Sequence, residues 1–254
     1  PITFFDTEID PTSHKVLDIG AIKEPNQEFH GPQLSGFIDF IRDIPFLAGH
    51  NVIRHDLKYL AKAGFTPNPN VRIIDTLDLA PLLFPSRPYH ALVKDDKLIT
   101  DELNNPLNDA QKAYKLFYDE VNEFNKLEPE FQSILYGLLH KVREFEAFFE
   151  YIEFEALPDS LINAIKSAFQ NQICENAGLD KIIQQHPAEL AYCLALIQAT
   201  DQYSIVPRWL NYSRPDIVQV MRLLRSNRCI EGCAYCNQSN DAHAGLKTIF
   251  GYDA

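Results

Sequence analysis

Two acidic residues near the start of the chain have the spacing of a metal-binding pair. Asp6 and Glu8 come directly after residues 2–5, a short apolar run of the kind that forms a buried strand. Because side chains alternate across a strand, residues two apart point to the same side of a sheet. Adjacent carboxylates repel each other unless a cation lies between them. The pair predicts a cation site at the end of a core strand, although two solvated acids at a surface strand end would have the same spacing.

Three cysteines near the other end of the chain have the spacing of a thiolate metal site. Cys229, Cys233 and Cys236 form a Cys-x₃-Cys-x₂-Cys arrangement, and His243 follows seven residues later. Thiolates and an imidazole at this spacing can converge on one tetrahedral ion, and a closed site of this kind stabilises a segment too short to have its own core. We therefore predict a structural Zn²⁺ bound by these four residues.

The fourth zinc ligand and the metal itself remain open at the level of sequence. Cys174 and Cys193 stand alone in the chain, and either could reach the ion in place of His243. An odd, clustered set of cysteines favours metal over disulfides. Unmetallated thiols are one alternative, and a 4Fe–4S cluster is another, since certain radical enzymes use the same cysteine spacing.

Two further acidic residues fall on predicted helices in the first half of the chain. Apolar residues at positions 57, 60 and 61 have helical spacing, so Asp56 lies in the first turns, where negative charge is favoured. Residues 104–117 begin with polar caps and Pro106, and continue as an amphipathic helix that contains Asp109. Residues 14–23 and 71–75 predict strands, so this half alternates strands and helices.

These acidic positions together resemble the three exonuclease motifs of the DEDD superfamily, which includes the proofreading subunit of bacterial DNA polymerase and ribonuclease T. The matching segments are Asp6-Thr7-Glu8, then Gly49-His50-Asn51 with Asp56, then Asp109-Ala110. The resemblance covers residues 1–125 and implies a ribonuclease-H-like α/β fold with a mixed central sheet flanked by helices. It also implies that the four acidic residues bind two Mg²⁺ or Mn²⁺ ions and that the domain releases nucleotides from the 3′ end of DNA.

One position departs from the exonuclease motifs. The family's general base is usually a histidine five residues before the last aspartate or a tyrosine four before it, and here those positions hold Asn104 and Asn105. An amide cannot take a proton from water near neutral pH, although it can orient a water molecule. We expect a weakened exonuclease in which Asn104 orients water, with His55 or His90 as candidate substitutes for the base. The alternative is a catalytically inactive module that binds nucleic acid.

The second half of the chain changes to helical patterns. Apolar residues recur at three- and four-residue spacing in 131–154, 161–169 and 188–199, which predicts an all-α connector domain over residues 126–226. A basic, aromatic stretch at 207–215 could stack on single-stranded DNA, or could be a packed tryptophan with surface arginines. A weaker hypothesis is an assembly domain whose helices contact a partner protein.

The last ten residues, 245–254, resemble the start of the helicase domain in the RecQ family. This short match implies that residues 227–254 comprise the cysteine-rich segment and the beginning of a helicase that continues beyond this chain. The sequence has no glycine-rich phosphate loop with lysine, so we do not expect ATP hydrolysis by the part given.

Charge and hydropathy limit the possible classes of protein. The net charge of −12 argues against DNA binding through overall charge, while local basic patches remain possible. No apolar run approaches the length of a membrane span, and we expect a cytoplasmic protein with no membrane partner.

Overall fold

The structure is a computed structural model that describes residues 1–87, 90, 92, 105–199, 206–225 and 229–238. Asn104, His243 and the helicase-like residues 245–254 lie outside these ranges, so the expectations for them stay predictions. The described residues fall into two compact units. The first unit is formed by described residues of Pro1–Leu79 and Ala91–Asn122. The second is formed by described residues of Ala80–His90 and Glu123–Ala254.

The first unit contains one mixed sheet of five strands; the family resemblance implies a mixed sheet but not the number of its strands. The strands are β1 (Ile2–Ile9), β2 (Val16–Lys23), β3 (Gln27–Gly31), β4 (Phe46–Gly49) and β5 (Arg72–Asp75). Their order is β3-β2-β1-β4-β5; β1, β2 and β3 pair antiparallel, whereas β1, β4 and β5 pair parallel. The central strand β1 therefore has a neighbour on both edges and apolar residues on both faces.

Helices flank this sheet. Those that contact it are α1 (Leu34–Phe40), α2 (Asp56–Lys62) and α4 (Pro106–Lys126), while α3 (Thr76–Leu83) follows β5 in the chain. On one face, Phe5 of β1 packs against Phe37 of α1, with ring centroids 5.5 Å apart, within a core that also includes Leu60 of α2. On the other face, Phe4 packs against the aromatic residues of α4. Neighbouring residues of β1 thus anchor helices on opposite faces, as alternation requires.

Every element that the structure describes after α4 is a helix. These are α5 (Pro129–Leu139), α6 (Arg143–Tyr151), α7 (Leu161–Ala168), α8 (Leu179–Gln185), α9 (Pro187–Ala199), α10 (Arg208–Ser213), α11 (Ile217–Arg225) and α12 (Ala234–Gln238). Helix α9 is buried along nearly its whole length and contacts α5, α8 and α11. A helix that is apolar on all sides must be enclosed by others, so α9 is the centre of this packing. Among the described residues, no helix combines the length and apolar composition needed to cross a bilayer.

Candidate carboxylate site and thiolate cluster

Strand β1 places Asp6 and Glu8 on the sheet face that α4 covers. Phe4 on the same strand contacts the rings of Tyr114 and Phe117 of α4, with centroid distances of 5.3 and 5.5 Å. Because alternate residues of a strand share a face, Asp6 and Glu8 follow Phe4 on this side. Both are only partly buried. The end of β1 therefore presents two carboxylates side by side, just beyond the aromatic core.

A glycine opposite Asp6 allows the start of α4 to approach the sheet closely. Asp6 pairs directly with Gly20 of β2. A Cβ atom on Gly20 would lie 2.1 Å from the backbone nitrogen of Leu107 and 2.3 Å from the carbonyl carbon of Pro106, closer than any side chain permits. The first turn of α4, which carries Asp109, thus lies against the strand position beside Asp6.

Asp56, at the start of α2, is bound directly to β1. Its Oδ1 accepts hydrogen bonds from the backbone N–H and the hydroxyl of Thr7, at 2.8 and 2.6 Å, and the residue is only 2% exposed. The pairing of β1 with β4 ends at Phe4 and Ala48, so the edge of β1 at Thr7 is bound by a carboxylate instead of a strand. Asp56 is therefore fixed at the residue between Asp6 and Glu8.

The loop that leads to Asp56 is held by a buried aspartate at the end of β5. Asp75 accepts the backbone N–H groups of Asn51 at 2.7 Å and Ile53 at 3.0 Å, and also that of Leu77 at 3.0 Å. Burial, and then the charge of Asp78, raise the pKa of Asp75 to about 7, against the opposite effect of these N–H donors. Asp75 thus connects the loop before α2 to the start of α3.

His55 lies beside two of the predicted metal ligands. Its Nδ1 is 3.6 Å from Oδ2 of Asp56. The carboxylate of Asp56, and more weakly that of Glu8, raises the pKa of His55, while burial opposes this effect. A raised pKa favours the protonated ring, which can neutralise carboxylates but cannot accept a proton from water.

His90, the other candidate substitute for the base, belongs to the second unit. It lines a small cavity together with Tyr192 and Leu196, and its ring nitrogens have no hydrogen-bond partner among the described residues. Burial, together with the nearby charge of Arg87, lowers the pKa of His90 to about 4. His90 is therefore a neutral, packed ring.

The four predicted carboxylates surround the end of β1 but do not form a tight group. Among the described residues, only a set of cysteines brings three or more Asp, Glu, His or Cys ligand atoms within 4.8 Å of one another. Asp56 is engaged by Thr7, and Oδ1 of Asp109 lies 3.3 Å from Nζ of Lys112. By donor type the carboxylates fit Mg²⁺ or Mn²⁺, since these hard ions prefer oxygen ligands.

The cysteines form the tightest group of potential metal ligands that the structure describes. The Sγ atoms of four residues lie within 4.8 Å of one another: Cys174, Cys229, Cys233 and Cys236. All four are free thiols, and the sulfurs of Cys174 and Cys233 are 3.9 Å apart. This group could hold a metal ion such as zinc. It contains the three cysteines that the sequence predicts as ligands.

The fourth thiol of the group is Cys174. The sequence predicts His243 as the fourth ligand, with Cys174 or Cys193 as alternatives. Of those two cysteines, only Cys174 belongs to the group. Cys193 is fully buried on α9, where its thiol donates to the carbonyl of Ile217 at 3.6 Å. Cys193 is thus an ordinary core cysteine.

The thiols of the cluster differ in how readily they ionise. The N–H of Cys233 donates to Sγ of Cys229 at 3.2 Å, and this bond is the largest cause that lowers the pKa of Cys229 to about 6. Burial raises the pKa of Cys174. The surroundings of Cys229 therefore favour the thiolate, which is the form that metals bind.

The basic, aromatic stretch at 207–215 is partly committed to the interior of the second unit. Arg214 donates to Glu189 at 3.2 Å and to Glu144 at 3.1 Å, and its side chain is only 15% exposed. Tyr212 is exposed. Arg214 therefore serves the packing of the helices and is not the surface arginine that the packed-tryptophan alternative expects.

Sequence reasoning missed three kinds of supporting residue. Thr7 lies inside the first motif, but only the fold shows that it binds Asp56. Asp75 ends a predicted strand, with no local pattern to mark its role. Asp18 pairs with Glu8 across β1 and β2 and lies 2.7 Å from His30 of β3, so the carboxylate site has a further acid–histidine pair on the same face.

No protein family, curated protein or solved structure matches this chain in the comparisons with known proteins.

Proposed function

We propose that the first unit is a ribonuclease-H-like, DEDD-type 3′–5′ exonuclease domain that acts on DNA ends with reduced activity. One observation carries the proposal: Asp6 and Glu8 end the central strand on the face of α4, while Asp56 is bound to the residue between them. The strand order, with three antiparallel strands followed by two parallel ones, supports the fold assignment. The motif order in the sequence supports the activity.

The four carboxylates are the proposed ligands for two Mg²⁺ or Mn²⁺ ions: Asp6, Glu8, Asp56 and Asp109. Such ions supply a nucleophile at neutral pH and stabilise charge on a phosphodiester. The reaction is hydrolysis, in which the oxygen of water bonds to phosphorus, the bond to the 3′ oxygen breaks, and a nucleoside monophosphate is released.

The protein's own residues prepare this site by holding the carboxylates in place. Thr7 engages Oδ1 of Asp56, while Oδ2 lies 3.6 Å from Nδ1 of His55. Gly20 admits the first turn of α4, and with it Asp109. Lys112 and His55 lie beside acidic residues and reduce the repulsion among them. Asn104 is proposed to orient the attacking water, and the lack of a proton acceptor there accounts for reduced activity.

A second candidate function is a nucleic-acid-binding module that retains the fold without cleaving. Asparagine at position 104 favours it. The variant Asn104→His separates the two candidates, because a missing general base typically costs about 10²–10⁴-fold in rate. The exonuclease proposal predicts a large gain in Mn²⁺-dependent release of nucleotides from a labelled DNA strand. If the variant still binds the strand but releases nothing, the binding module is the better account.

For the rest of the chain, we propose an all-α connector that leads to a helicase domain of RecQ type beyond this chain. The run of helices from α5 to α11 and the resemblance of residues 245–254 support this order. For the thiolate cluster, the proposed metal is a structural Zn²⁺. The whole protein would then be a DNA helicase–nuclease.

A further inference from the structure

We propose that Cys174, Cys229, Cys233 and Cys236 bind one tetrahedral metal ion that acts as a long-range clasp. The ion would connect the turn between α7 and α8 to the segment that follows α11. The inference deepens the proposed zinc site, and it does not depend on the nuclease. A ligand set of three cysteines and His243 would close only a local loop, whereas Cys174 connects parts of the unit that are distant in sequence.

The distances between the sulfur atoms fit a single ion. Tetrahedral Zn²⁺ with Zn–S bonds of about 2.3 Å holds its sulfurs about 3.8 Å apart. The sulfurs of Cys174 and Cys233 are 3.9 Å apart, and all pairs of the group lie within 4.8 Å. A 4Fe–4S cluster is too large for this group, because each of its thiolates binds a different iron atom. A disulfide would require a sulfur separation of about 2.05 Å.

The backbone around the cluster is already arranged to bring the two parts together. The N–H of Cys174 donates to the carbonyl of Leu224 near the end of α11, at 2.7 Å. Arg225, the last residue of α11, donates from Nε to the carbonyl of Gln172 at 3.0 Å. The hydroxyl of Tyr235 on α12 donates to the carbonyl of Arg225 at 3.1 Å. The turn at Cys174, the end of α11 and α12 thus meet at the thiols.

The segment that carries three of the thiols has little else to hold it. Among residues 229–237, the buried ones are Cys233 and Cys236, while Ile230 is fully exposed. A segment whose buried side chains are thiols gains little from apolar burial, since a free thiol is a small hydrophobe with weak hydrogen bonds. A bound ion would supply the missing stabilisation, as it does in small metal-dependent segments.

Three local features shape the segment into a ligand loop. Gly232, between the first two cysteines, has a φ of +68°, a conformation that other residues adopt only with strain. The side-chain amide of Asn237 donates to the carbonyl of Gly232, which closes the turn against α12. The N–H of Cys233 points to Sγ of Cys229, and hydrogen bonds of this kind stabilise a thiolate. The loop therefore presents Cys229, Cys233 and Cys236 to one point.

The test is the zinc content of the whole chain and its variants, measured by mass spectrometry after dialysis without chelator. We expect one zinc per wild-type chain, a loss of most of it in Cys174→Ser, and full retention in Cys193→Ala and His243→Ala. Cys193 is the matched control, because it is another buried cysteine of the same unit outside the group. Full zinc in Cys174→Ser, or loss of zinc in His243→Ala, would overturn the proposal.

A second measurement avoids the risk that Cys174→Ser fails to fold. Wild-type chain loaded with Co²⁺ should show the intense charge-transfer and visible absorption of four thiolate ligands, and a spectrum with three thiolates and one nitrogen would contradict the clasp. The clasp would also be overturned if the wild-type chain contains no metal and has fewer than five titratable thiols, because the missing thiols would then be in disulfides. Asp6→Ala should retain zinc, so the zinc result does not depend on whether the nuclease proposal holds.

Discussion

Asp56, the predicted metal ligand at the start of α2, is hydrogen-bonded to Thr7 of the central strand. One carboxylate oxygen of Asp56 receives both the N–H and the hydroxyl of Thr7, at 2.8 and 2.6 Å, in a buried environment. The bond joins the start of α2 to β1 at the residue that separates Asp6 from Glu8. The position of Asp56 in the proposed site therefore depends on a threonine that carries no charge and binds no metal itself.

We predict that Thr7→Val lowers the free energy of unfolding by about 1.5–3 kcal/mol, because a hydrogen bond to a buried charged group is lost at nearly constant volume. Nuclease activity should fall as well, since Asp56 loses one of its two anchors. Urea denaturation monitored by circular dichroism measures the first effect.

Thr3→Val is the matched control on the same strand. The hydroxyl of Thr3 is completely buried and has no hydrogen-bond partner among the described residues. Its removal should leave stability unchanged or raise it by about 1 kcal/mol, because an unsatisfied polar group leaves the interior. If Thr7→Val and Thr3→Val lower the free energy of unfolding equally, the hydrogen bond to Asp56 is not the source of the stability lost in Thr7→Val.

Gly20→Ala should disrupt the approach of α4 to the sheet. The added Cβ would overlap backbone atoms of Leu107 and Pro106, which cannot move aside as a flexible side chain can. We expect Gly20→Ala to lower the free energy of unfolding by about 3 kcal/mol or more, which is the upper end of the range typical of overpacking. Nuclease activity should be lost as well.

The control for Gly20→Ala is Gly137→Ala on α5, where the nearest atoms belong to the end of the Leu161 side chain. There the change should be neutral, or stabilising by up to about 1 kcal/mol, because alanine favours a helix over glycine. Unfolding by urea compares the two variants. A Gly20→Ala protein as stable and active as wild type would mean that α4 does not lie where the structure places it.

The second unit should lose stability in mild acid because of His90. The ring is neutral in the folded state down to a pH of about 4, whereas in the unfolded chain it takes up a proton below its ordinary pKa of 6.5. The unfolded state therefore binds more protons between these values, and the free energy of unfolding falls as the pH drops through this window.

His90→Leu should flatten this pH dependence, since leucine does not titrate. Urea denaturation at pH 6.5, 5.5 and 4.5, followed by the fluorescence of Trp209, measures it; Trp209 is the chain's only tryptophan and lies on α10 of the second unit. If the free energy of unfolding falls equally with pH in the wild type and in His90→Leu, then His90 titrates normally in the folded state.

The elements that a local sequence pattern marks could be predicted, whereas the residues whose role depends on contacts distant in the chain could not. Apolar runs predict β1, β2 and β5, and helical spacing predicts the helix that carries Asp109, whereas the mixed sheet is implied only by the family resemblance. Gly20, Asp75 and Cys174 have no such pattern. Gly20 matters because a helix far along the chain touches it, Asp75 because it binds another loop, and Cys174 because three distant thiols meet it.

The carboxylate site shows the same limit. The sequence identifies four acidic residues by motif order, but motif order does not determine how close their oxygens lie or which neighbours bind them. The structure shows that Asp56 is engaged by Thr7 and Asp109 by Lys112. These partners come from tertiary contact in the first case and from one turn of a helix in the second, and only the latter could have been read from spacing.

The most direct test of the exonuclease proposal is digestion of a 5′-labelled single strand of DNA by the whole chain, with Mg²⁺ or Mn²⁺ against chelator, beside the Asp6→Ala variant. We predict a metal-dependent ladder of products that shortens from the 3′ end and disappears in Asp6→Ala. A strand that stays intact with either metal while it is retained by the protein would contradict the proposal and support the binding module.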